Sequence, residues 1–507
     1  MNAFIDAIGL VARVDVLLTL TFSSFFGLFL GAIPGLTATM AVALLVPLTF
    51  FMDPVPAMGA VVGATAMAIF AGDIPGALLR IPGTPASAAY AEESYLLSQK
   101  GELEVALGTG VILSAFGGLF GAVVFIVASP LLAEVALLFS SFEYFWLTLM
   151  GLSSAVIISR GSNVRGAVSL ALGLLMSTVG LDIAMGYPRF AFGNVDLAAG
   201  INILPALIGA FAIAEILRTV TTTDLKGREI KQDIGNLLKG VGKVFRKYKV
   251  NAIRSSLIGT FLGALPGSGA TMATYMTFAI GKKFSKEKEK YGTGHIEGIV
   301  DSSAANNASV SGAWVPALVF GIPGDTLTAI VIGVLFMKGI NPGPTIFMNT
   351  PEFVFAIFIM FVIANLLMIP FGIGAIKLSR HILAVPPKIL YPMILMTTIV
   401  GTYAVHNSSF DLVVMLGVGI LAYLMEENNF PVPPMVLGLL LGKLLENNFV
   451  GSIIKAQGSY SAFFARPISA VLGVITLTIW LSPVVLPILK WIFTTLKKRL
   501  FAQSREE

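Results

Sequence analysis

The chain has 507 residues, of which 56% are hydrophobic and only 12% charged, with a mean hydropathy of +0.87 and a net charge of +5. Soluble domains carry about a quarter charged residues, so this composition excludes one and predicts an all-α polytopic membrane protein; an outer-membrane barrel would instead show short alternating segments. The absence of cysteine excludes thiol catalysis, disulfides and thiolate metal sites, and three scattered histidines (His295, His381 and His406) do not make a metal site.

In chain order, apolar segments fall at 16–52, 56–79, 105–131, 135–158, 166–181, 197–217, 255–280, 302–322, 326–340, 353–378, 389–405, 411–425, 431–450 and 467–494. A crossing helix needs about 20 apolar residues. Several segments are shorter, longer or interrupted, so the sequence predicts about 10 to 14 transmembrane or re-entrant helices. The N-terminus has only Arg13 before its first long apolar run and no small-residue cleavage site, which reads as a retained first helix.

Positive charge is concentrated. Arg218 to Arg254 holds ten Lys/Arg against three acids, and Lys282 to Lys290 holds five Lys against two Glu. Basic loops mark the cytoplasmic side, so both runs are topology determinants facing the cytoplasm and not nucleic-acid contacts, as is the "KKR" at Lys497 to Arg499. The connection 219–253 divides the chain into a first transmembrane repeat, 1–218, and a second, 254–507, with C-terminal helices. Within it Ile230, Ile234, Leu237, Leu238, Val241, Val244 and Phe245 recur at helical spacing, opposite Lys and Arg, as in a helix lying on the membrane surface.

Two motifs recur in the same order in each half. "GAIPGLTATMA" (Gly31 to Ala41) matches "GALPGSGATMA" (Gly263 to Ala273) at 8 of 11 positions. "ALLRIPGTPASA" (Ala77 to Ala88) matches "ALVFGIPGDTLTA" (Ala317 to Ala329). The proline-to-proline spacing is 48 in the first copy and 57 in the second, the difference falling in the lysine-rich stretch around 281–297. This predicts an internal duplication. Basic sequence on both sides of 255–280 favours a re-entrant hairpin there, and so an inverted repeat. Interrupted helices in corresponding positions of two halves point to a secondary transporter's substrate site, because irregular backbone at membrane depth survives only where protein or a water-filled cavity covers it.

Candidate residues cluster on those interruptions. For binding a small anion the sequence offers Gly35, Thr37 and Thr39 in the first copy and Ser268, Gly269 and Thr271 in the second, at helix starts with free N–H groups. Thr84 and Ser87, with Thr326 and Thr328, add hydroxyls beside the second loops. Asn306 and Asn307 are amides in an apolar segment, suited to a ligand or to helix–helix bonds. For a coupling ion, Na⁺ or H⁺, the candidates are the backbone at Pro34, Gly35, Pro266 and Gly267 with the carboxylates Asp73, Asp301 and Asp325. Asp325 can equally cap the next helix, and Arg80 either pairs with Asp73 or reaches the interface. Walker A, H-E-x-x-H and G-x-S-x-G motifs are absent from the sequence, so the chain reads as a non-enzyme without an organic cofactor.

The stretches "GAIPGLTATMAVALLVPLTF", "IPGTPASAAY", "AANNASVSGAWVPALVFGIPG", "GINPGP" and "NNFPVPPMVLGLLLGKLLE" resemble the large membrane subunit of the bacterial tripartite tricarboxylate transporters, over about residues 15 to 470. The resemblance implies a cation-coupled importer of small di- or tricarboxylates in the cytoplasmic (inner) membrane. It implies a small membrane subunit of about four helices and a periplasmic solute-binding protein as partners. Pro34, Gly35, Pro82, Gly83, Asn306, Asn307, Pro323 and Gly324 fall on its motif positions, while Asp73 and Asp325 stand where the family commonly has small residues. A stand-alone carboxylate transporter, or a facilitator or channel, is the alternative.

Overall fold

The computed structural model describes residues 2–33, 36–158, 162–182, 185–222, 234–383 and 387–480. Pro34 and Gly35 therefore lie outside the described residues, as do 223–233 of the basic connection, with Ile230, and everything after 480, including the C-terminal "KKR". The protein is almost wholly helical; the described strands are one short pair, Gly180–Leu181 with Pro188–Arg189.

In the first half, α1 (Asn2–Val11) precedes α2 (Val14–Gly31), α3 (Ala38–Thr49), α4 (Pro54–Ala71), α5 (Asp73–Leu79), α6 (Ala91–Gln99) and α7 (Leu103–Ala136). There follow α8 (Ser141–Ile158), α9 (Asn163–Ser177), α10 (Val195–Ala198), α11 (Ile203–Ile208), a π-turn at Gly209–Ile213 and α12 (Ala214–Thr222). The second half runs α13 (Val241–Lys247), α14 (Lys249–Ala264), α15 (Gly269–Phe284), α16 (Ile296–Phe320), α17 (Thr326–Met337), α18 (Ile346–Asn349) and α19 (Pro351–Leu383). It closes with α20 (Pro387–His406), α21 (Ser409–Glu427) and α22 (Val432–Lys455). Six of the described helices are long and apolar enough to cross a membrane. This is a multi-pass α-helical membrane protein.

The two longest apolar runs of the motif regions are each broken in the middle. Residues 16–52 form α2 and α3, and 255–280 form α14 and α15. At 1.5 Å per residue the 16 residues of α14 or α15 span about 24 Å and the 12 of α3 about 18 Å, short of the roughly 30 Å hydrocarbon core. α2, with 18 residues, is long enough to cross, so the shortfall belongs to α3, α14 and α15.

The helices that lead into the two recurring motifs pack alike. Cβ atoms placed on Gly27 and Gly31 of α2 would lie 2.4 and 2.5 Å from the carbonyl oxygens of Ala64 and Ala68 on α4. On Gly259 and Gly263 of α14 they would meet those of Ala305 and Ser309 on α16 at 2.6 and 2.0 Å. Small residues every fourth position let backbones touch, which is how membrane helices gain dispersion contact. The same pair of helices is thus built twice, from corresponding residues.

The basic connection is not the continuous helix expected. Gly240, at φ 86°, interrupts the periodic run: among its described residues, 234–240 are not helical and the helix is Val241–Lys247. Leu237 and Val241 are buried, while Leu238 is 52% exposed. The 197–217 segment, by contrast, is one helical run from Ile203 to Thr222 with a π-turn at its middle, where Gly209 packs against the Met415 carbonyl of α21.

Candidate functional site

Each half carries the same loop after its long buried helix. Arg80 closes α5 in the left-handed region (φ 59°, ψ 25°) and Gly321 closes α16 in the same way (φ 68°, ψ 22°). Ile-Pro-Gly follows both. Gly83 then sits where a Cβ would be 2.6 Å from Gly72 Cα and 2.9 Å from the Gly31 carbonyl. Gly324 sits where a Cβ would be 2.8 Å from Ala313 Cα and 2.5 Å from the Gly263 carbonyl. The second motif of each half therefore rests on the helix end that carries the first. Gly267 N–H also donates to the Gly324 carbonyl at 2.8 Å.

The next residues form a reciprocal box in both copies. Ser87 N–H donates to Thr84 Oγ1 at 3.1 Å and Thr84 N–H to Ser87 Oγ at 3.2 Å. In the second copy Thr328 N–H donates to Asp325 Oδ1 at 2.8 Å and Asp325 N–H to Thr328 Oγ1 at 3.0 Å, a capping box that starts α17. Asp325 thus has the capping role the sequence left open. Its β-carbon also faces Gly269 at the start of α15.

The halves meet by exchange. Thr39, on the first turn of α3, lies 3.0 Å hydroxyl to hydroxyl from Thr326 of the second loop. Thr274 of α15 donates to the carbonyl of Ala86 in the first loop at 3.0 Å. Farther along, Lys100 Nζ, just past α6, donates to the carbonyls of Thr293 and Gly294 at 2.6 and 3.2 Å. Lys338 Nζ, just past α17, donates to those of Phe50 and Met52 at 2.8 and 2.5 Å. In both halves a lysine beyond the post-loop helix holds the other half's turn.

Burial sorts the candidates predicted from sequence. Thr37, Thr39, Pro266, Gly267, Thr271, Asp325 and Thr326 are half-buried, whereas Thr84, Ser87, Ser268, Gly269, Asn306 and Asn307 are buried. Thr37 caps α3 by accepting from Met40 N–H at 3.2 Å, and Ser268 Oγ donates back to the Leu265 carbonyl at 2.9 Å. Asn307 Nδ2 donates to the Ala66 carbonyl of α4 at 2.9 Å. Asn306 Nδ2 donates to the Tyr90 hydroxyl at 3.2 Å. Tyr90, 1% exposed, was not singled out from the sequence; a lone hydroxylated ring among small residues was its only signal.

The three carboxylates are in three different settings. Asp301 is 0% exposed and held by Arg254 and Ser255, each at 2.7 Å, with Tyr291 and Asn251 at 3.2 and 3.3 Å. Asp73 is bonded to the Tyr90 hydroxyl. Arg80 does not reach it: the guanidinium forks onto Glu92 at 2.7 and 2.8 Å. Half-buried Glu287, beside Lys290, titrates below the usual carboxylate range because the bonded ammonium favours its charged form.

A polytopic helical protein whose two halves present matching broken helices and exchange contacts at their breaks has the build of a secondary transporter subunit. Residues 17–437 match the tripartite tricarboxylate transporter TctA family, and the chain belongs to that family. It is 32% identical over 444 residues to an uncharacterized 52.8 kDa protein from the TAR-I ttuC' 3' region of Agrobacterium vitis, covering 88% of each chain. It is 32% identical over 212 residues to an uncharacterized protein from the TAR-II ttuC' 3' region of the same organism, covering 42% of this chain and 88% of the relative. No solved structure gives a significant match.

Proposed function

We propose that this subunit imports small organic di- or tricarboxylates through the bacterial cytoplasmic (inner) membrane, driven by a cation gradient. A periplasmic solute-binding protein hands over the substrate, and a small membrane subunit of about four helices completes the transporter. The substrate sits between the tips of α3 and α15 and the two Ile-Pro-Gly loops. Thr39, Thr271 and Thr326 contact it with hydroxyls, and the N–H groups at the starts of α3 and α15 face its carboxylates. Asp325 and the backbone at Pro266 and Gly267 line the cation's side. Asp301, its lone pairs already filled by Arg254 and three other donors, is left out of that set. The observation that carries this reading is the 3.0 Å pair Thr39–Thr326, a half-buried polar junction between halves at the very motifs that break their helices. The reciprocal contacts support an inverted repeat, the arrangement that lets one half rock or slide against the other around a shared site.

The test is uptake of labelled carboxylates into proteoliposomes holding this chain and the small subunit, with candidate binding proteins, under a sodium or a proton gradient. Uptake requiring a binding protein and one gradient, and lowered by Thr39→Val, is expected. Uptake indifferent to both gradients would replace the reading with a facilitator.

A further inference from the structure

Asp73 opens α5 inside the protein, 5% exposed, and only one of its two carboxylate oxygens is engaged. Oδ1 receives the Tyr90 hydroxyl; Oδ2 has no hydrogen-bond partner among the described residues. The Tyr90 hydroxyl accepts in turn from Asn306 Nδ2, whose other contact is the Ile69 carbonyl at 3.5 Å. A carbonyl only accepts, so the amide nitrogen must face it, and Asn306 Oδ1 is left without a donor. Ser303, one turn earlier on α16, interacts with the same hydroxyl, but its Oγ makes no hydrogen bond of normal geometry. A Cβ on Gly110 of α7 would lie 3.5 Å from Asp73 Oδ2 and 4.0 Å from Ser303 Oγ, which places both atoms on one side of that glycine.

The unpartnered atoms are two acceptors and a hydroxyl, so the cluster is short of a donor. Among the described residues no cation supplies one. On α6, Glu92 pairs with Arg80, and Glu93 takes the N–H groups of Gly292, Gly294 and His295. On α7, Glu104 takes the N–H of Gly235, and on α19 Lys377 is exposed. On α16, Asp301 is committed to Arg254. Counting from the paired prolines, Asp73 corresponds to Trp314 in the second half, so the carboxyl has no twin. A bare carboxylate with one hydrogen bond in apolar surroundings is disfavoured, and such groups neutralise.

We propose that Asp73 is a proton-binding site: Oδ2 takes one proton from the aqueous phase and, as a carboxylic acid, donates it towards Asn306 and Ser303. Resting on the transporter reading, this makes the proton a coupling ion with a station of its own at Asp73, separate from the cation's side at Asp325, Pro266 and Gly267. Asp73 and Tyr90 belong to the first half, Ser303 and Asn306 to the second, so the acceptors are in place only while the halves are packed together. The residue before it, Gly72, accepts from Gly83 N–H at 3.1 Å and packs on Thr84, so the protonated carboxyl adjoins the first Ile-Pro-Gly loop. A change in the charge of this carboxyl therefore falls directly beside that loop.

The site is tested without any substrate by infrared spectroscopy of the reconstituted full chain, titrated through neutral pH. A buried protonated-carboxyl band is expected at pH 7 in the wild type and in Thr39→Val, shifted in Tyr90→Phe, and missing in Asp73→Asn. A wild-type spectrum without that band, or a band that persists in a folded Asp73→Asn protein, overturns the proposal. Failure of all carboxylate uptake would remove the transporter reading while leaving this band as it is, so the two failures are separable. Where uptake is seen, Asp73→Asn should exchange labelled carboxylate across the vesicle but lose accumulation driven by a proton gradient.

Discussion

Gly324 rests on the carbonyl oxygen of Gly263, so closely that a methyl group at 324 would lie 2.5 Å from it. Neither partner can yield, because one atom is main chain at the end of α14 and the other belongs to the loop that begins α17. Gly324→Ala, and its counterpart Gly83→Ala, should lower stability by about 1–3 kcal/mol, the usual range for overpacking. Gly374 in α19 has nothing within 4 Å of its would-be Cβ. Gly374→Ala should be neutral or stabilising by up to about 1 kcal/mol. Thermal unfolding midpoints of the purified proteins in one detergent decide between these expectations.

Thr39 and Thr326 should behave as one unit. Thr39→Val and Thr326→Val should each reduce uptake, and the double variant should do little more damage than the worse single. Groups in contact show coupling of about 0.5–3 kcal/mol. Rates for all four proteins, beside their unfolding midpoints, separate lost substrate contact from lost packing; additive losses would speak against the pairing.

Arg254 neutralises a carboxylate that has no exposure of its own. Removing it in Arg254→Ala leaves Asp301 buried and uncompensated, a change that typically costs about 3–5 kcal/mol. Adding Asp301→Asn should restore a large part of that loss, since the amide still accepts from Ser255. Fraction folded after heating, compared across the three variants, reads the rescue directly.

The two capping boxes give a graded series. Thr328→Ala and Asp325→Ala each remove a bond that starts α17, with an expected loss of about 0.5–2 kcal/mol. Asp325→Asn keeps a good cap and should be close to wild type in stability. Any loss of uptake in that variant then reports the carboxylate's charge and not the helix start.

Arg80 offers a test of backbone strain. It holds a left-handed conformation that Gly321 holds in the other half, and its exposed ion pair with Glu92 is of the kind worth about 0–1 kcal/mol. A non-glycine residue there costs roughly 1–2 kcal/mol. Arg80→Gly should therefore fall within about 1 kcal/mol of wild type by the same midpoint assay, despite losing a charged side chain.

Much of this fold is legible in the sequence because the duplication is legible: the matched motifs set out both breaks and both loops, and the described helices start and stop around them. Helix ends were less visible. The 302–322 segment extends back to Ile296, because Glu297 and Asp301, which look like a polar boundary, are buried and bonded to Asn251, Ser285, Arg254 and Ser255. The 353–378 segment extends to Leu383 through polar Ser379 and His381, where hydropathy alone would end it. Tyr90 is the plainest omission in the candidate set. Its role depends on Asp73, seventeen residues back, and Asn306, in the other half, neither of which any local pattern connects to it.

The lysine clasps carry a further meaning. Lys100 reaches from the first half to the turn at Thr293 and Gly294, and Lys338 from the second to the turn at Phe50 and Met52. A gives to B what B gives to A, the signature of an isologous dimer. Within this single chain the contact between the halves is therefore self-complementary, so a change at one clasp has its counterpart at the other. The match is incomplete at one buried position: counted from the paired prolines, Asp73 falls opposite Trp314, so only the first half carries a carboxylate there.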